Sequence, residues 1–272
     1  MSEKRQKRPN RSQPVSEDDF QRPRPAGVER PLVAFRRDLG DGAVVPWHRH
    51  AHAQLIYGGS GLMRIESSAG AWVVPPERAV WIPAGIDHQV TCVGEVAMQA
   101  VYVLPEAAPW LPGDCLVMAV SPLMRELVAS AMELEDGYDL DGPEARLVAE
   151  LIDSLRARPV EELHLPMPKD RRLRTVTQSL IANPGDPRTL ADFAGDAGAS
   201  ARTLARRFVA ETGLSFGAWR QQLRLHEALA RLASGEPVTS VAFEVGYDSP
   251  SAFIAMFRKS LGDTPGRYLG RG

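Results

Sequence analysis

The 272-residue chain is long enough for one large domain or two ordinary ones, and its 44% hydrophobic and 24% charged residues are typical of a soluble globular protein. It has no apolar run of about 18 residues, which excludes a transmembrane helix. The net charge of −2 hides an asymmetry, because the residues from Lys169 onward carry +5 and those before it −7, and a basic C-terminal third predicts a module that binds a polyanion.

The N-terminal segment is charged and rich in proline, and it lacks the apolar core of a signal peptide. It buries too little apolar surface to offset the entropy lost on ordering, so residues 1–28 are predicted to be a disordered basic, Pro-rich tail. The two cysteines, Cys92 and Cys115, have no metal-binding or redox spacing. The absence of a secretion signal and the scarce cysteine favour a cytoplasmic protein.

Residues 29–112 have the pattern of an all-β barrel. Short segments rich in valine, isoleucine, tryptophan and tyrosine alternate with clusters of glycine, proline and serine about every 8–12 residues. This spacing is typical of a sandwich or barrel. We therefore predict an N-terminal all-β domain followed by a different, helical part of the chain.

Residues 116–165 are predicted to be mainly helical. Segments 121–135 and 142–157 carry apolar residues three or four positions apart, and each begins with a residue that precedes a proline. These amphipathic helices either belong to the core or pair with a second subunit, and we favour a homodimer. The following residues 160–170 contain two prolines and predict a short strand and a linker.

Residues 168–272 are predicted to be an all-helical domain. The predicted helices are 170–183, 188–195, 200–212, 215–234, 238–245 and 249–260. The region repeats itself, because ADFAGDAGASARTLARRFVAETGLSFGAW aligns with SVAFEVGYDSPSAFIAMFRKSLGDTPGRY at an offset of 48 or 49 residues. Short helices joined by tight turns and repeated in this way predict two helix-turn-helix units.

Each landmark of the repeat has a physical function. Gly198 and Gly246 allow a tight turn that needs positive φ. Ser200 and Ser249 are predicted N-caps of the second helix in each unit. Apolar pairs spaced four residues apart then hold that helix to its core. These pairs are Leu204 with Phe208 and Phe253 with Phe257.

The second helix of each unit has an exposed face that is predicted to bind DNA. In the first unit this face has two arginines, which suit guanine edges or phosphates. In the second unit it has few hydrogen-bonding groups, so it suits thymine methyl groups, DNA shape or the backbone. Two helices in successive major grooves should lie about 34 Å apart. The predicted DNA-binding residues are Ser200, Ala201, Arg202, Thr203, Ala205, Arg206, Ser249, Pro250, Ser251, Ala255, Arg258 and Lys259.

The segment YDSPSAFIAMFRKSLGDTPGRYL resembles the C-terminal signature of AraC/XylS-type transcription regulators, over about residues 170–270. This resemblance implies a DNA-binding domain of two helix-turn-helix units joined by one long helix, here at 215–234. It also implies that double-stranded promoter DNA is the partner. Many relatives have arginine or glutamine where this chain has Pro250 and Ala255, which puts base recognition by the second unit in question.

A second resemblance concerns HRHAHAQ, residues 48–54. Together with WIPAGIDHQ it resembles the two-block pattern of cupins, which are small β-barrels, and the matching residues here are His48, His50, Gln54 and His88. On a straight strand, residues 48 and 54 would be about 20 Å apart, too far for one metal ion. The resemblance implies a bend that brings these four residues together, with His52 as a bystander or rim residue.

Three interpretations of this site remain open from the sequence. It holds a divalent metal, it is a metal-free polar wall that binds an effector, or it is a structural strand. Oxygenase-type iron sites use two histidines and a carboxylate, and here Gln54 stands in the carboxylate position. We therefore expect a non-enzymatic, sequence-specific regulator that senses a small molecule or metal and requires no cofactor. Relatives of this type look like local repressors. The alternative is a cupin dioxygenase or isomerase fused to a DNA-binding domain.

Overall fold

The N-terminal part of the chain forms two five-stranded antiparallel sheets in a computed structural model that describes residues 30–135, 137–156, 163–196 and 198–269. The predicted tail, residues 1–28, lies outside the described residues. Sheet 1 has the order β1 (Leu32–Leu39), β8 (Val96–Val103), β3 (Ala53–Gly58), β6 (Arg78–Ile82) and β9 (Leu116–Ala119). Sheet 2 has the order β10 (His164–Pro166), β5 (Gly70–Val74), β4 (Leu62–Ser67), β7 (His88–Val93) and β2 (Val44–His48).

The two sheets face each other across an apolar core. Ile56, Val80 and Met98 of sheet 1 are buried against Ile65 and Val90 of sheet 2. Side chains alternate between the two faces of a strand, so every second residue of each strand reaches this interior. The expected all-β fold is confirmed, as a cupin-like sandwich of two sheets.

Two helices cover the outer face of sheet 1. Helix α1 spans Pro122–Ala131 and α2 spans Pro143–Ser154, close to the predicted ranges. Their apolar faces pack against Leu55 and Val101, which is why β3 is buried on both faces. Of the two sequence interpretations, these faces therefore belong to the core. Pairing with a second subunit stays a prediction, for the sides of α1 and α2 that face away from sheet 1.

Strands β9 and β10 lie beyond residue 112, where the sequence placed the end of the barrel. Strand β9 pairs with β6, and β10 pairs with β5. They have four and three residues, too few to show a clear alternation in the sequence. Strand β10 falls within the strand and linker that were predicted at 160–170.

The C-terminal part is helical, as predicted. The helices are α3 (Arg171–Ala182), α4 (Leu190–Asp196), α5 (Ala201–Thr212), α6 (Phe216–Ala233), α7 (Val238–Glu244), α8 (Pro250–Leu261) and α9 (Pro265–Tyr268). Helix α9 was not predicted because its four residues form a single turn. The long helix α6 joins the two helix-turn-helix units and also packs against β10, β5 and β4 of sheet 2. Within the described ranges, no helix is both long and apolar enough to span a membrane.

Candidate DNA interface and sensor site

The second helices of both units begin in the same way. The Ser200 hydroxyl accepts the backbone N–H of Thr203 at the start of α5, and the Ser249 hydroxyl accepts that of Ala252 at the start of α8. Each bond satisfies one of the N–H groups that the first turn of a helix leaves without a partner. The predicted N-caps are therefore present, and they fix where each candidate recognition helix starts.

The tight turns require glycine. The φ angles of Gly198 and Gly246 are +59° and +89°, which lie in the left-handed region that side chains disfavour. Gly246 is also crowded, because a Cβ there would lie 2.9 Å from the Cα of Gly185. The turn of the second unit therefore tolerates no side chain at this position.

Buried pairs determine which side of α5 and α8 faces outward. Leu204, Phe208, Phe253 and Phe257 are fully buried. The ring of Phe208 packs edge-on against Trp219 of α6, with 5.8 Å between the centroids. Since each pair occupies one side of its helix, the opposite side is available to a partner.

The exposed side of α5 carries three of the predicted DNA-binding residues. Arg202, Ala205 and Arg206 are exposed, whereas Ala201 and Thr203 are half-buried. The two guanidinium groups can bind guanine edges bidentately or phosphates. This side of the helix therefore combines positive charge with the donors that base recognition needs.

Arg207 of α5 has a different environment from its two neighbouring arginines. Its guanidinium donates to the carboxylate of Asp170, the N-cap of α3. Arg172 also donates to Asp170, and these contacts lower the pKa of the Asp170 carboxyl to about 2. Arg207 was not among the predicted DNA-binding residues, and its side chain lies in an intramolecular ion pair.

The exposed side of α8 has a different chemistry. Ser251 and Ala255 are exposed, and Pro250 is half-buried at the first helical position. Of these three side chains, that of Ser251 can form hydrogen bonds, through its hydroxyl. The cations come in the last turn of the helix, at Arg258 and Lys259. An open groove runs along this face. It is lined by Ser251, Ile254, Ala255, Arg258, Lys259 and Thr264.

The candidate sensor site brings together three histidines from different segments. His48 ends β2, His88 begins β7, and His50 follows β2 in the connection to β3. One ring nitrogen of each lies within 4.8 Å of those of the other two, and the ring centroids of His48 and His88 are 4.3 Å apart. The register pairs His48 directly with His88, and the chain bends before β3, as the resemblance implied.

Each of the three rings has the same anchor. The Nδ1 atoms of His48, His50 and His88 lie 2.8, 2.5 and 2.9 Å from the backbone carbonyls of Pro46, His52 and Ile86. A carbonyl can only accept, so Nδ1 carries the proton and the lone pair is on Nε2. Metal-binding histidines are usually held in this way. His88 is fully buried, and its Nε2 has no hydrogen-bond partner among the described residues.

Burial favours the neutral form of two of these imidazoles, His50 and His88. Desolvation lowers the pKa of His88 to about 4 and also lowers the pKa of His50. The neighbouring rings act in the same direction, because a second positive charge would be repelled. Neutral imidazole is the form that binds a metal ion, so the lone pairs of His50 and His88 could bind one at neutral pH.

Gln54 joins the cluster and connects it to a residue that the sequence analysis missed. Its Oε1 lies 2.9 Å from Nε2 of His50, and its Nε2 lies 2.8 Å from the hydroxyl of Tyr102. Two lone pairs so close together need either a cation between them or a rotated amide that donates to His50. Tyr102 pairs with Gln54 in the register of β3 and β8, and burial raises its pKa to about 12. No motif marks this tyrosine, because only the sheet register places it here.

No carboxylate belongs to this cluster of possible ligands within the described part of the chain. Asp87 lies 3.8 Å from Arg49, and Glu66 accepts a hydrogen bond from Gln89. His52 contributes its backbone carbonyl to His50 and is not one of the three clustered rings. The site is therefore built from imidazoles and one amide, without the carboxylate of an oxygenase centre.

Comparison with known proteins finds a matching family for each of the two parts of the chain. Residues 33–165 match the AraC-like ligand binding domain family, and residues 193–271 match a helix-turn-helix domain family. The chain is 40% identical over 242 residues to the HTH-type transcriptional regulator NimR of Escherichia coli strain K12, and the match covers 88% of each chain. It is 38% identical over 200 residues to the HTH-type transcriptional regulator RipA of Corynebacterium diphtheriae, covering 73% of this chain and 57% of that one.

Among solved structures, the crystal structure of ToxT from Vibrio cholerae O395 aligns with 89% of this chain and 98% of its own, at 10% identity and a TM-score of 0.38. The sequence relatives are transcription regulators, in agreement with the prediction that the chain is not an enzyme. The similarity to NimR runs through both the sensor part and the helical part. The chain therefore belongs to the AraC family of helix-turn-helix transcription regulators, with an N-terminal ligand-binding domain and a C-terminal DNA-binding domain.

Proposed function

We propose that this regulator binds promoter DNA in a sequence-specific way and that a divalent metal ion at His48, His50 and His88 changes its affinity for that DNA. The observation that supports the sensor part is the convergence of three imidazoles, each anchored through Nδ1 to a backbone carbonyl. Gln54 is the fourth residue that we assign to the site.

The donor set fits a transition metal. Imidazole nitrogen suits zinc, copper, iron and nickel, and bonds of about 2.0–2.1 Å place neighbouring ligands roughly 3–3.4 Å apart. The 2.9 Å separation between His50 Nε2 and Gln54 Oε1 is close to that spacing. A neutral amide binds more weakly than a carboxylate, so we expect a site that exchanges its metal, as a sensor requires. Coordination positions left open by the protein would take a small effector.

A metal-free effector pocket is the second candidate. The contact between Gln54 and Tyr102 favours it, because a rotated amide satisfies both His50 and the tyrosine hydroxyl without a cation. In that case the polar wall would donate and accept hydrogen bonds to a small neutral molecule. The buried Nε2 of His88 favours the metal instead, since it has no hydrogen-bond partner among the described residues.

We assign most of the sequence specificity to the first helix-turn-helix unit, through Arg202 and Arg206. The second unit, with Ser249, Pro250, Ser251 and Ala255, would contribute shape and methyl contacts, and its Arg258 and Lys259 would bind the backbone. Ser200, Ala201, Thr203 and Ala205 complete the proposed surface of the first unit.

The regulatory setting also belongs to the proposal. We expect local repression in the cytoplasm, where promoter DNA is found. We also expect a homodimer, supported by Leu123, which is 57% exposed at the start of α1. Sedimentation of the full chain would measure its oligomeric state.

Fluorescence anisotropy with DNA from upstream of the gene tests the DNA-binding part. The proposal expects salt-sensitive binding that is at least about 1,000-fold tighter than to random DNA. No preference over random DNA would contradict it. Calorimetric titration with Zn²⁺, Ni²⁺ and Co²⁺ tests the sensor part, with His50→Ala as the disabled variant and His52→Ala as its matched control. Equal metal binding by both variants would favour the metal-free pocket.

A further inference from the structure

Sheet 2 carries both the sensor site and the contact with the DNA-binding domain. His48 lies on β2 and His88 on β7, and β7 pairs with β4. Helix α6 packs against β4, β5 and β10 of the same sheet. One sheet therefore connects two of the three clustered histidines to the helix that joins the two helix-turn-helix units.

An ion pair joins β4 to α6. Arg64 Nη2 lies 2.7 Å from Glu227 Oε2, with exposed side-chain fractions of 37% and 23%. On β4, Arg64 is three residues from Ser67, which pairs with His88 in the sheet. Partly buried and hydrogen-bonded charges interact more strongly than exposed ones. A small movement of β7 and β4 would therefore shift Arg64 and, through this ion pair, the position of Glu227.

The network continues to the second helix-turn-helix unit. Glu227 Oε1 accepts from Nε of Arg231, one turn further along α6, at 2.9 Å. Arg231 also donates to Glu244, the last residue of α7, and lies 3.3 Å from Glu236 in the connection before α7. Because α7 leads into the turn before α8, these charges connect the sensor sheet to the position of α8.

The first unit is fixed to the same sheet in another way. Leu165 of β10 is buried in the core of this unit, and the carbonyl of Pro166 accepts the indole N–H of Trp219 at 2.7 Å. This anchor is a backbone carbonyl and a buried aromatic ring, with no charged group. The two units are thus held to sheet 2 by contacts of different chemistry.

We propose that the Arg64–Glu227–Arg231–Glu244 network transmits the state of the histidine site to the second helix-turn-helix unit. The inference rests on the proposed function, because it concerns how that site regulates DNA binding. In this account Arg64 is a positioning residue. It touches neither metal nor DNA, and it sets how strongly the two are coupled.

The test is the ratio of DNA dissociation constants of the full chain with Zn²⁺ and with chelator, measured for wild type, Arg64→Gln and Arg64→Lys. We expect a ratio of at least about fivefold for wild type, less than about twofold for Arg64→Gln, and partial recovery for Arg64→Lys. Arg125→Gln is the control, because Arg125 forms an exposed ion pair with Glu77 inside the sensor domain. Its ratio should match wild type.

Zinc affinity without DNA should stay within about twofold of wild type in every variant, which separates lost coupling from a damaged site. Hydrogen exchange of α7, measured without zinc, should increase in Arg64→Gln and not in Arg125→Gln. An unchanged zinc-dependent ratio in Arg64→Gln overturns the inference and leaves the proposed function intact. A wild-type chain whose DNA affinity is the same with and without zinc contradicts the metal proposal itself, and the inference with it.

Discussion

Arg202 and Arg206 stand exposed on α5, whereas His88 and Gln54 are buried between the two sheets. The two arginines are charged and are accessible to DNA from solvent. The second pair is neutral, because the amide of Gln54 does not ionise and desolvation lowers the pKa of His88 to about 4. Exposed groups can be altered with little effect on folding, whereas buried polar groups affect both folding and binding. The two regions should therefore respond differently to mutation and to pH.

The largest effect is expected from the double variant Arg202→Ala/Arg206→Ala. Each arginine that contacts a base contributes about 1–3 kcal/mol, so affinity for the specific site should fall about 30-fold or more. Arg207→Ala is the matched control on the same helix, because Arg207 binds Asp170 instead. Anisotropy titration measures the DNA affinity of both variants. Equal losses of affinity in the double variant and the control would contradict the assigned surface. Unfolding midpoints of each variant separate a lost DNA contact from a destabilised fold.

Lower pH should destabilise the metal-free protein through the buried histidines. In the unfolded chain His88 takes up a proton near pH 6.5, but in the folded chain only near pH 4. The unfolded state therefore binds more protons between these values, and stability falls as pH drops from 6.5 to 4, by up to about 3 kcal/mol. His50 acts in the same direction. Urea unfolding at a series of pH values measures this. His88→Gln should flatten the slope, and an unchanged slope would show that other groups cause it.

Gln54→Glu should make the sensor site bind metal more tightly. The substitution supplies the carboxylate that the cluster lacks, and a charged ligand beside three imidazoles should raise zinc affinity about tenfold. Without metal, the buried carboxylate should lower stability by roughly 1–3 kcal/mol. Gln89→Glu is the control, because Gln89 contacts Glu66 away from the cluster. Unchanged zinc affinity in Gln54→Glu would remove residue 54 from the site.

The smallest change in specificity is expected from Arg258→Ala/Lys259→Ala on α8. Cations that contact only phosphates lower affinity for all sequences alike, and the salt dependence should lose about two units of slope. The ratio of specific to random binding should change by less than about threefold. A larger loss of that ratio would mean that the second unit recognises bases, and the contrast between α5 and α8 would then disappear.

The repeat could be predicted because its signals are local. Ser200, Ser249 and the two glycines specify caps and turns within a few residues of themselves, and the paired phenylalanines follow helical spacing. The cupin pattern also found His88, 34 residues after Gln54. Contacts set by tertiary packing gave no such signal. Tyr102 reaches Gln54 only through the pairing of β3 with β8, and Arg64 meets Glu227 across 163 positions of the chain.

Control of DNA binding by the histidine site is tested most directly by one measurement. The dissociation constant of the full chain for its upstream DNA is measured at fixed salt with Zn²⁺ and with chelator, for wild type and His50→Ala. The account predicts a change of at least about fivefold for wild type and none for His50→Ala. Equal affinities with and without zinc in the wild-type chain would contradict it.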